Sequence, residues 1–406
     1  MHSGREFHGG RGHSFGWGLP PLCPEAHGIF TVFLQQRDRE LYVRLVSFTY
    51  DRKAKGPKDC LRSDKPNVLL KGKKKMRKFF GKKAVLAAAA AVMMFGSTNM
   101  SALAEEAQPQ EGDTYELSII HNNDVHGRME WLPQFKTLID EAREETDNLL
   151  VLNGGDIFLR GPLQDQQGIP EMTVLNEMGY DAWVPGNNDF RVPPEGGDTE
   201  AGNEQIQNLI ELANCPTLCA NVTMKDTGEL IDGVEPYIIK EVGGLDIGII
   251  GVTSLKPQDR GWEEVSDKVF ESGDITVTNL MEEVAPQTDI NIVLSHTGLA
   301  VDTKTCWVEG VSAVVGADDH FVISEPLYTP GENDSKTTPI VQAGGEYDQF
   351  LGRLDLEYTY TEGAWTLTDF DGYLYDLEGV EPDQEIQDLI DSVSQTAQTE
   401  AADEAA

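Results

Sequence analysis

Acidic and imidazole side chains stand together in this 406-residue chain where predicted strands end. The first such place is residues 117–128, where an apolar run closes on Asp124 and His126, just before Gly127. In an extended backbone, residues i and i+2 lie on the same side, so a carboxylate oxygen and an imidazole nitrogen can converge on one metal ion. A turn or capping role explains the same spacing, so the later strand ends must decide between the two.

Four further predicted strands end in residues of the same chemical kinds. Because α/β folds place their sites at the carboxyl ends of strands, all of these side chains are expected to lie close together. The five strand ends carry Asp124 and His126, then Asp156, then Asn187, then His296, and finally Asp318 and His320.

The histidines support a metal site. The chain has eight, and only four come after residue 104; three of these stand in strand-end loops, whereas His121, within the end of the first strand, is predicted to be a core histidine. Carboxylates, imidazoles and one amide suit Zn, Mn, Fe or Co better than Ca. Two such ions bridged by a carboxylate, for which Asp156 is the natural choice, can activate a bridging hydroxide and stabilise an in-line phosphoryl displacement.

The elements that must position these residues alternate between strands and helices. This alternation predicts an α/β fold. Apolar periodicity predicts helices over 131–145, 171–178 and 205–213 and strands over 148–153, 217–222, 237–252 with a break at 243–244, 291–294, 311–315, 339–343, 351–360 and 365–373.

The beginning of the chain has the pattern of a secretory signal. A basic start at 76–83 precedes an apolar run at 84–95 and a small-residue cleavage site, so residues 76–104 are predicted to be a signal peptide. The run is shorter than the roughly 20 residues of a spanning helix. We therefore expect no integral membrane segment in the mature chain, and export to the periplasm, cell surface or medium. Residues 1–75 are interpreted as a spurious upstream extension, with a genuine basic extension as the alternative.

The charge balance narrows the range of partners. The chain has 32 Lys and Arg against 69 Asp and Glu, and residues 1–104 contain 19 of the basic and 7 of the acidic ones. The remainder therefore has 13 basic and 62 acidic residues and a formal charge of −49. Such a surface repels nucleic acid polymers and anionic membranes, so neither is expected as a partner. Small phosphates require bound cations that reverse the field locally.

Cysteine usage leaves two interpretations open. Of the five cysteines, Cys215, Cys219 and Cys306 lie after the signal. Export permits a disulfide between Cys215 and Cys219, and two buried thiols beside a turn suit the same spacing.

The order of motifs resembles that of the calcineurin-like metallophosphoesterases, specifically their exported 5′-nucleotidase and UDP-sugar hydrolase branch. The matching stretches are Asp124-Val-His126, Gly155-Asp156, Gly186-Asn-Asn-Asp-Phe190, Ser295-His296 and Gly316-Ala-Asp-Asp-His320. The resemblance implies a four-layer α-β-β-α sandwich over residues 115–378, preceded by an acidic linker at 105–114. Residues 379–406 are then a linking helix with an acidic tail, and the branch's C-terminal base-binding domain is expected to be absent.

The resemblance also implies two divalent metal ions, Zn, Mn or similar. By position, the first would be held by Asp124, His126, Asp156 and His320, and the second by Asp156, Asn187, His296 and Asp318.

Three positions depart from the family pattern. Asn188 stands where the family has a catalytic histidine, and Arg191 where it has the supporting aspartate. Asn188 can donate a hydrogen bond but cannot act as a general acid; Arg191 could clamp phosphate or simply pair with an acidic neighbour. Asp318 replaces a family histidine and adds negative charge to the second metal site.

The expected function is that of an exported, metal-dependent phosphoesterase. Its substrate would be a small phosphorylated molecule, either a phosphate monoester or a nucleotide. The alternative is a degenerate member that keeps the fold as a binding or cell-surface protein, and the changes at 188, 191 and 318 favour it.

Overall fold

The structure is a computed structural model that describes residues 29–37, 40–50, 61–63, 108–193, 196–328 and 337–404. The chain divides into two compact units, residues 1–78 and 79–406. In the first unit, β1 (Ile29–Arg37), β2 (Glu40–Tyr50) and β3 (Leu61–Ser63) form an antiparallel sheet in that order. The proposed signal peptide at 76–104 lies outside the described residues, and the interpretation of 1–75 as spurious stays a prediction.

The second unit contains two large mixed sheets, two short antiparallel pairs of strands and a series of helices. Its strands are β4 (Thr114–Asn122), β5 (Leu149–Asn153), β6 (Ala182–Trp183), β7 (Thr217–Leu218), β8 (Val222–Met224), β9 (Val234–Glu235), β10 (Tyr237–Val242), β11 (Leu245–Thr253), β12 (Lys268–Phe270), β13 (Ile290–His296), β14 (Ala313–Val315), β15 (Ile340–Val341), β16 (Gly344–Gly345), β17 (Asp348–Gln349), β18 (Gly352–Thr361) and β19 (Ala364–Leu374). Its α-helices are α1 (Leu132–Glu145), α2 (Ile169–Met178), α3 (Thr199–Leu212), α4 (Lys256–Asp259), α5 (Gly273–Val284), α6 (Leu299–Thr305) and α7 (Gln384–Glu404).

Parallel pairing brings the strand ends of each large sheet to one edge. The first sheet has the order β19-β18-β4-β5-β6-β7-β9, with β4 to β9 parallel and β18 and β19 antiparallel. The second has the order β10-β11-β13-β14-β15 and is parallel from β11 to β15. Connections that return over a sheet through a helix give this parallel arrangement.

The two sheets pack face to face. A single buried cluster combines Leu117 and Leu152 of the first sheet with Ile249, Ile292 and other aliphatic residues of the second. Burial of these branched side chains is the main stabilising contribution to the layer between the sheets, at roughly 1.5–3 kcal/mol for each large aliphatic residue.

Helices cover the outer face of each sheet. On the first sheet, Ile120 and Val151 pack in one cluster with Phe135 of α1 and Leu175 of α2. On the second, Val284 of α5 lies against β11 at Gly248. The result is a four-layer α-β-β-α sandwich. It confirms both the α/β fold predicted from the alternation of elements and the layered arrangement implied by the family resemblance.

Helix boundaries reflect capping and apolar spacing. In α1 the residues Leu132, Phe135 and Ile139 are fully buried, and their i, i+3, i+7 spacing gives the helix one apolar face. Helix α3 begins at Thr199, earlier than the sequence predicts, because the side chain of Asp198 caps it by accepting a hydrogen bond from the backbone N–H of Ala201.

Three further predicted elements differ from the structure. The strand predicted over 217–222 is divided into β7 and β8, and the strand predicted over 339–343 is shortened to β15. The helix expected within residues 379–406 continues to Glu404 as α7, and so includes most of the predicted tail. A long polar helix carries little periodic signal beyond its packed first turns, where Ile386 is buried, so its end is hard to predict. Within the part of the chain that the structure describes, no helix combines the length and apolar character needed to cross a membrane.

Glu171, in the first turn of α2, is a buried carboxyl whose titration should be visible in stability. It is fully buried, and neither carboxylate oxygen accepts a hydrogen bond from another described residue. Burial, helped by the negative charge of Asp189, raises the pKa of Glu171 from 4.5 to about 7. Between these values the folded protein holds a proton that the unfolded chain has lost, so stability falls as pH rises through this window.

The substitution Glu171→Gln is therefore expected to raise the free energy of unfolding near pH 8, and to raise it much less near pH 5. Urea denaturation at both pH values measures the difference. Glu177→Gln, on the exposed face of the same helix, is the matched control and should change little at either pH. An equal effect of Glu171→Gln at both pH values would show that the carboxyl does not titrate between them, and so would contradict the raised pKa.

Candidate metal centre

The loop after β4 carries Asp124 and His126 in a conformation that differs from the sequence expectation. The strand ends at Asn122, and Asp124 and His126 have φ angles of 53° and 49°, so the backbone is not extended there. The prediction that they converge because of strand alternation is wrong. Three backbone hydrogen bonds to the neighbouring loop after β5 instead hold this loop in place. A left-handed conformation at non-glycine residues is strained, and such strain concentrates at functional sites.

Asp156 comes shortly after β5 and is fixed by Asp189. Asp156 has a φ of 54° and is almost fully buried. The carboxylate of Asp189 accepts hydrogen bonds from the backbone N–H groups of Asp156 at 2.8 Å, Ile157 at 2.9 Å and Gly186 at 2.7 Å. A buried carboxylate with three N–H donors ties together the loops after β5 and β6, and so holds Asp156 beside Asn187.

Asn187 and Asn188 open a short 3-10 turn after β6. Asn188 donates two hydrogen bonds to Asp156: its backbone N–H to Oδ1 at 2.7 Å and its side-chain Nδ2 to Oδ2 at 2.5 Å. The side-chain amide of Asn187 lies 2.7 Å from Asp318 Oδ1. With its nitrogen at that position the amide donates to Asp318, and its oxygen accepts a hydrogen bond from the backbone N–H of Asn188 at 3.0 Å. The opposite orientation, in which the amide oxygen is a metal ligand, requires a cation between this oxygen and Asp318 Oδ1.

Two histidines have one ring nitrogen fixed by a backbone carbonyl. Nδ1 of His126 lies 2.9 Å from the carbonyl of Leu159, and Nδ1 of His296 lies 2.5 Å from the carbonyl of Gly154. Nδ1 must therefore donate, which leaves the lone pair of the neutral imidazole on Nε2. This orientation by a backbone acceptor is the usual arrangement of metal-ligating histidines.

The ligand atoms of the candidate residues converge on one buried volume. Asp124 Oδ1 lies 3.2 Å from Nε2 of His320, 3.8 Å from that of His126 and 3.9 Å from that of His296. Nε2 of His296 is also 3.4 Å from Asp156 Oδ2. In two groups of three residues, one potential ligand atom from each residue lies within 4.8 Å of the other two; the groups are Asp124, His126 and His320, and Asp124, Asp156 and His296.

The buried carboxylates of this volume favour the binding of cations. Asp124, Asp156 and Asp318 are all buried. Burial opposes the charged form of His296, yet the nearby carboxylates of Asp156 and Asp124 outweigh it and hold the pKa of His296 well above 6.5. Nε2 of His296 therefore favours a bound cation, which is a proton when no metal is bound and otherwise a metal ion in its place. Three carboxylates in a low-dielectric region are costly unless cations compensate them.

The unsatisfied atoms of this volume indicate that its residues fit divalent ions. Among the described residues, Asp124 Oδ1 and His296 Nε2 are buried without a hydrogen-bond partner. Asp124 Oδ2, by contrast, accepts hydrogen bonds from Asn123 at 2.7 Å and from the backbone N–H of Asp318 at 3.0 Å. Buried polar atoms are normally paired, so a carboxylate oxygen and an imidazole nitrogen left facing each other indicate ligands for a cation.

Two cationic side chains at the centre were missed by the sequence analysis. Nζ of Lys256 lies 2.6 Å from Asp318 Oδ1, and Nη2 of Arg160 lies 2.8 Å from Nε2 of His126. Burial raises the pKa of Asp318 to about 6, although His296 and Lys256 counteract this. Lys256 opens α4 just after β11, so the strand-end rule could have identified it; Arg160 has no comparable signal.

Three further sequence expectations concern residues beside the centre or away from it. Arg191 forms an ion pair with the buried Glu264 at 3.3 Å, and its guanidinium lies 4.6 Å from the centroid of the Trp262 ring. It therefore has an acidic partner, as one of the two sequence interpretations expected. Its role as a phosphate clamp stays a prediction. His121 is buried, which lowers its pKa to about 3 and confirms the expected core histidine. Cys215 and Cys219 are both free thiols.

Gly155 sets the spacing between the loops after β5 and β6. Its φ is +82°, and a Cβ there would lie 2.2 Å from the carbonyl oxygen of Val184 and 2.5 Å from the nitrogen of Gly186. Gly244 has a φ of +84° with nothing within 4 Å of the same position. The two glycines therefore share the backbone requirement and differ in available space.

Gly244→Ala is expected to cost about 1–2 kcal/mol of stability from the left-handed conformation alone. Gly155→Ala should cost more and should also weaken metal binding, because the loop of Asn187 must move away from Asp156. Urea denaturation and metal titration of both variants measure this. Equal losses of stability with unchanged metal binding would mean that the two loops need not be in contact.

Comparison with known proteins finds a matching family and curated relatives. The family model of the calcineurin-like phosphoesterases matches residues 117–321. The chain is 27% identical over 278 residues to the trifunctional nucleotide phosphoesterase protein YfkN of Bacillus subtilis, a match that covers 62% of this chain and 18% of that protein. It is 33% identical over 212 residues to a 5′-nucleotidase of Vibrio cholerae, covering 47% and 36%.

A solved structure supports the fold. The crystal structure of the calcineurin-like phosphoesterase YfkN from Bacillus subtilis superposes with a TM-score of 0.56 at 20% identity, covering 70% of this chain and 98% of that one. The chain thus spans less than half the length of either curated relative, although it covers nearly all of this solved domain.

Proposed function

Because this chain belongs to the calcineurin-like phosphoesterase family, we propose that it is a metal-dependent phosphoesterase of the 5′-nucleotidase type. It hydrolyses phosphate monoesters or nucleotides at a dinuclear centre. Its signal-like residues 76–104 direct export to the periplasm, the cell surface or the medium.

The observation that carries the proposal is the pair of unsatisfied, buried ligand atoms at the carboxyl ends of the strands. Asp124 Oδ1 and His296 Nε2 have no hydrogen-bond partner among the described residues, and the lone pairs of His126 and His296 are fixed in place by backbone carbonyls. A surface cluster of acids would not hold its imidazoles in one orientation.

Each residue has a role in this proposal. Two divalent ions, when bound, supply an activated water nucleophile and neutralise charge on the phosphoryl group. Asp156 would help to hold both ions. Asp124, His126 and His320 would complete the site of the first ion, and Asn187, His296 and Asp318 that of the second.

Two polar side chains beside the ligands, Asn188 and Lys256, have supporting roles in this proposal. Asn188 holds Asp156 through two hydrogen bonds and can turn its amide towards a phosphoryl oxygen. Lys256 offsets the charge that Asp318 adds in place of the family's neutral imidazole, since the two form a close ion pair. The amide at position 188 cannot protonate the leaving group, so turnover should be slow for the family.

A second candidate function is that of a degenerate member that binds but does not hydrolyse. The contacts of Arg160 with His126 and of Lys256 with Asp318 favour it, because each places a protein cation on an atom that a metal would use. In this case the two side chains would replace the ions permanently.

An assay of metal-loaded protein separates the two functions. The purified chain is dialysed against a chelator, reloaded with zinc or manganese, and incubated with p-nitrophenyl phosphate or adenosine monophosphate. Phosphate release that depends on added metal is the expected result. No release from either substrate with either metal would reject the enzyme and leave the binding protein.

A further inference from the structure

A series of contacts leads from His126 outward to an exposed aromatic ring. Nη2 of Arg160 lies 2.8 Å from His126 Nε2, and Nη1 of Arg160 lies 3.1 Å from Glu346 Oε2. Glu346 Oε1 is 3.9 Å from Nη2 of Arg128, whose guanidinium carbon lies 4.0 Å from the centroid of the Tyr347 ring. The candidate metal centre and the ring are therefore linked by side chains in direct contact.

The loop that carries this ring is fixed to the loop of the metal ligands. The backbone N–H of Glu346 donates to the carbonyl of Asp124 at 2.7 Å, and Gln349 donates to the carbonyl of Val125 at 2.8 Å. At Gly345 a Cβ would lie 2.7 Å from the Cβ of Asp124, so the loop passes directly over this ligand. The position of Tyr347 is therefore set by the backbone of the centre.

The charge at this place is opposite to that of the chain as a whole. Only 13 basic residues come after residue 104, against 62 acidic ones, yet Arg128 and Arg160 stand together and share a single carboxylate, Glu346. Their contacts leave guanidinium N–H groups in excess over carboxylate oxygens. A planar guanidinium is suited to phosphate because it can donate two parallel hydrogen bonds.

Arg160 is well placed to meet the phosphoryl group of a substrate. Its side chain is 45% exposed, and it extends from the loop after β5 to Nε2 of His126. Its hydrogen bond to His126 uses the imidazole lone pair that a metal ion would take. Once that lone pair is occupied, the same N–H group is available to an anion beside the centre.

Tyr347 offers a stacking surface. Its side chain is 73% exposed, and the guanidinium of Arg128 over the ring restrains it. An exposed aromatic ring held next to two arginines is the combination that binds phosphorylated molecules with a planar group, because the arginines take the phosphate and the ring stacks on the planar face.

We propose that Arg160, Arg128 and Tyr347 form the subsite for the substrate's phosphoryl and leaving groups. Arg160 contacts the phosphoryl oxygens, and Tyr347, held by Arg128, stacks on the leaving group. The substrate class is then a phosphate monoester whose alcohol carries a planar aromatic group. This inference rests on the proposed function and adds to it a specificity determinant within the metallophosphoesterase domain itself.

Three phosphate monoesters test the subsite: p-nitrophenyl phosphate and adenosine monophosphate, which have a planar group, and glycerol phosphate, which has none. Tyr347→Ala is expected to raise KM about tenfold or more for the first two and to leave kcat unchanged, with little change for glycerol phosphate. Arg160→Ala should lower kcat/KM for all three alike, because the phosphoryl group is common to them.

Two control variants make the result specific. Tyr347→Phe keeps the ring and should behave as wild type. Trp307→Ala removes an aromatic side chain that is 65% exposed elsewhere on the domain and should also have no effect. A Tyr347→Ala variant that affects all three esters equally, or none, would overturn the subsite.

A binding measurement separates failure of the subsite from failure of the enzyme. Equilibrium dialysis of adenosine against the full chain is compared for wild type and Tyr347→Ala. Adenosine binding that requires Tyr347 in a protein without turnover would support the subsite and reject the catalytic function. Turnover with adenosine binding that does not depend on Tyr347 would support the enzyme and reject the subsite.

Discussion

Asp156→Asn is expected to reduce phosphate release by at least about a thousandfold. Oδ2 of Asp156 lies 3.4 Å from Nε2 of His296 and 3.7 Å from Nε2 of His126, so it is the carboxylate between the two halves of the candidate centre. An amide in its place carries no charge and cannot hold two cations. The metal ions stabilise the transition state by several kcal/mol, and loss of this stabilisation corresponds to a decrease in rate of this size.

The control for this variant is the same chemical change at an exposed position. Asp165→Asn, on the turn before α2, removes a surface carboxylate and should leave both activity and metal content unchanged. Circular dichroism and thermal unfolding check that Asp156→Asn still folds. If the Asp156→Asn variant kept more than a tenth of wild-type turnover, Asp156 could not be the shared ligand.

Asn188→His is expected to raise kcat by about 10²–10⁴, the contribution of a positioned general acid. Asn188 is 8% exposed, and its side chain is directed at Asp156 from the 3-10 turn after β6. An imidazole at this place would stand beside the centre, where it could protonate the leaving oxygen. Because a general acid acts in its protonated form, kcat should then fall as the pH rises through the pKa of the new histidine.

Single substitution at 188 is the cleaner test of the missing acid. Arg191→Asp would complete the family pattern, but it would also leave the buried carboxylate of Glu264 without this guanidinium, and an uncompensated buried charge destabilises a protein by several kcal/mol. Asn188→Ala is the matched control: it removes the amide without adding an acid, and should not increase kcat. A loaded Asn188→His protein with normal metal content and no gain would show that the centre itself is not competent.

The sequence predicted the fold and the grouping of the candidate ligands because both depend on regular features. Alternating strands and helices imply parallel pairing, which carries strand ends to one edge, and the structure brings Asp124, Asp156 and His296 together there. The residue types at those ends were sufficient to predict this candidate metal site without any knowledge of distances.

The local geometry could not be predicted in the same way. Asp124 and His126 meet because their loop is left-handed and hydrogen-bonded to the loop after β5, an arrangement that the sequence does not encode through spacing. The contacts of Arg160 and Lys256 depend on the side-chain rotamers of long residues. Contacts of this kind, between loops that are distant in sequence, can be identified only in the folded structure.

The departures from the family pattern are partly explained by neighbouring charges. Asp318 adds a negative charge where the family has an imidazole, and Lys256 lies 2.6 Å from it. Together they are formally neutral, as a histidine would be. Arg191, in contrast, makes its contacts with Glu264 and Trp262 in a neighbouring loop.

The most direct test of the dinuclear centre is the metal content of the purified chain. After dialysis against metal-free buffer, elemental analysis is expected to find close to two equivalents of a divalent transition metal such as zinc or manganese. Asp156→Asn, measured beside it, should contain at most one. A wild-type protein that retains no metal, and takes up none when zinc or manganese is added back, would contradict the dinuclear centre on which the proposed function rests.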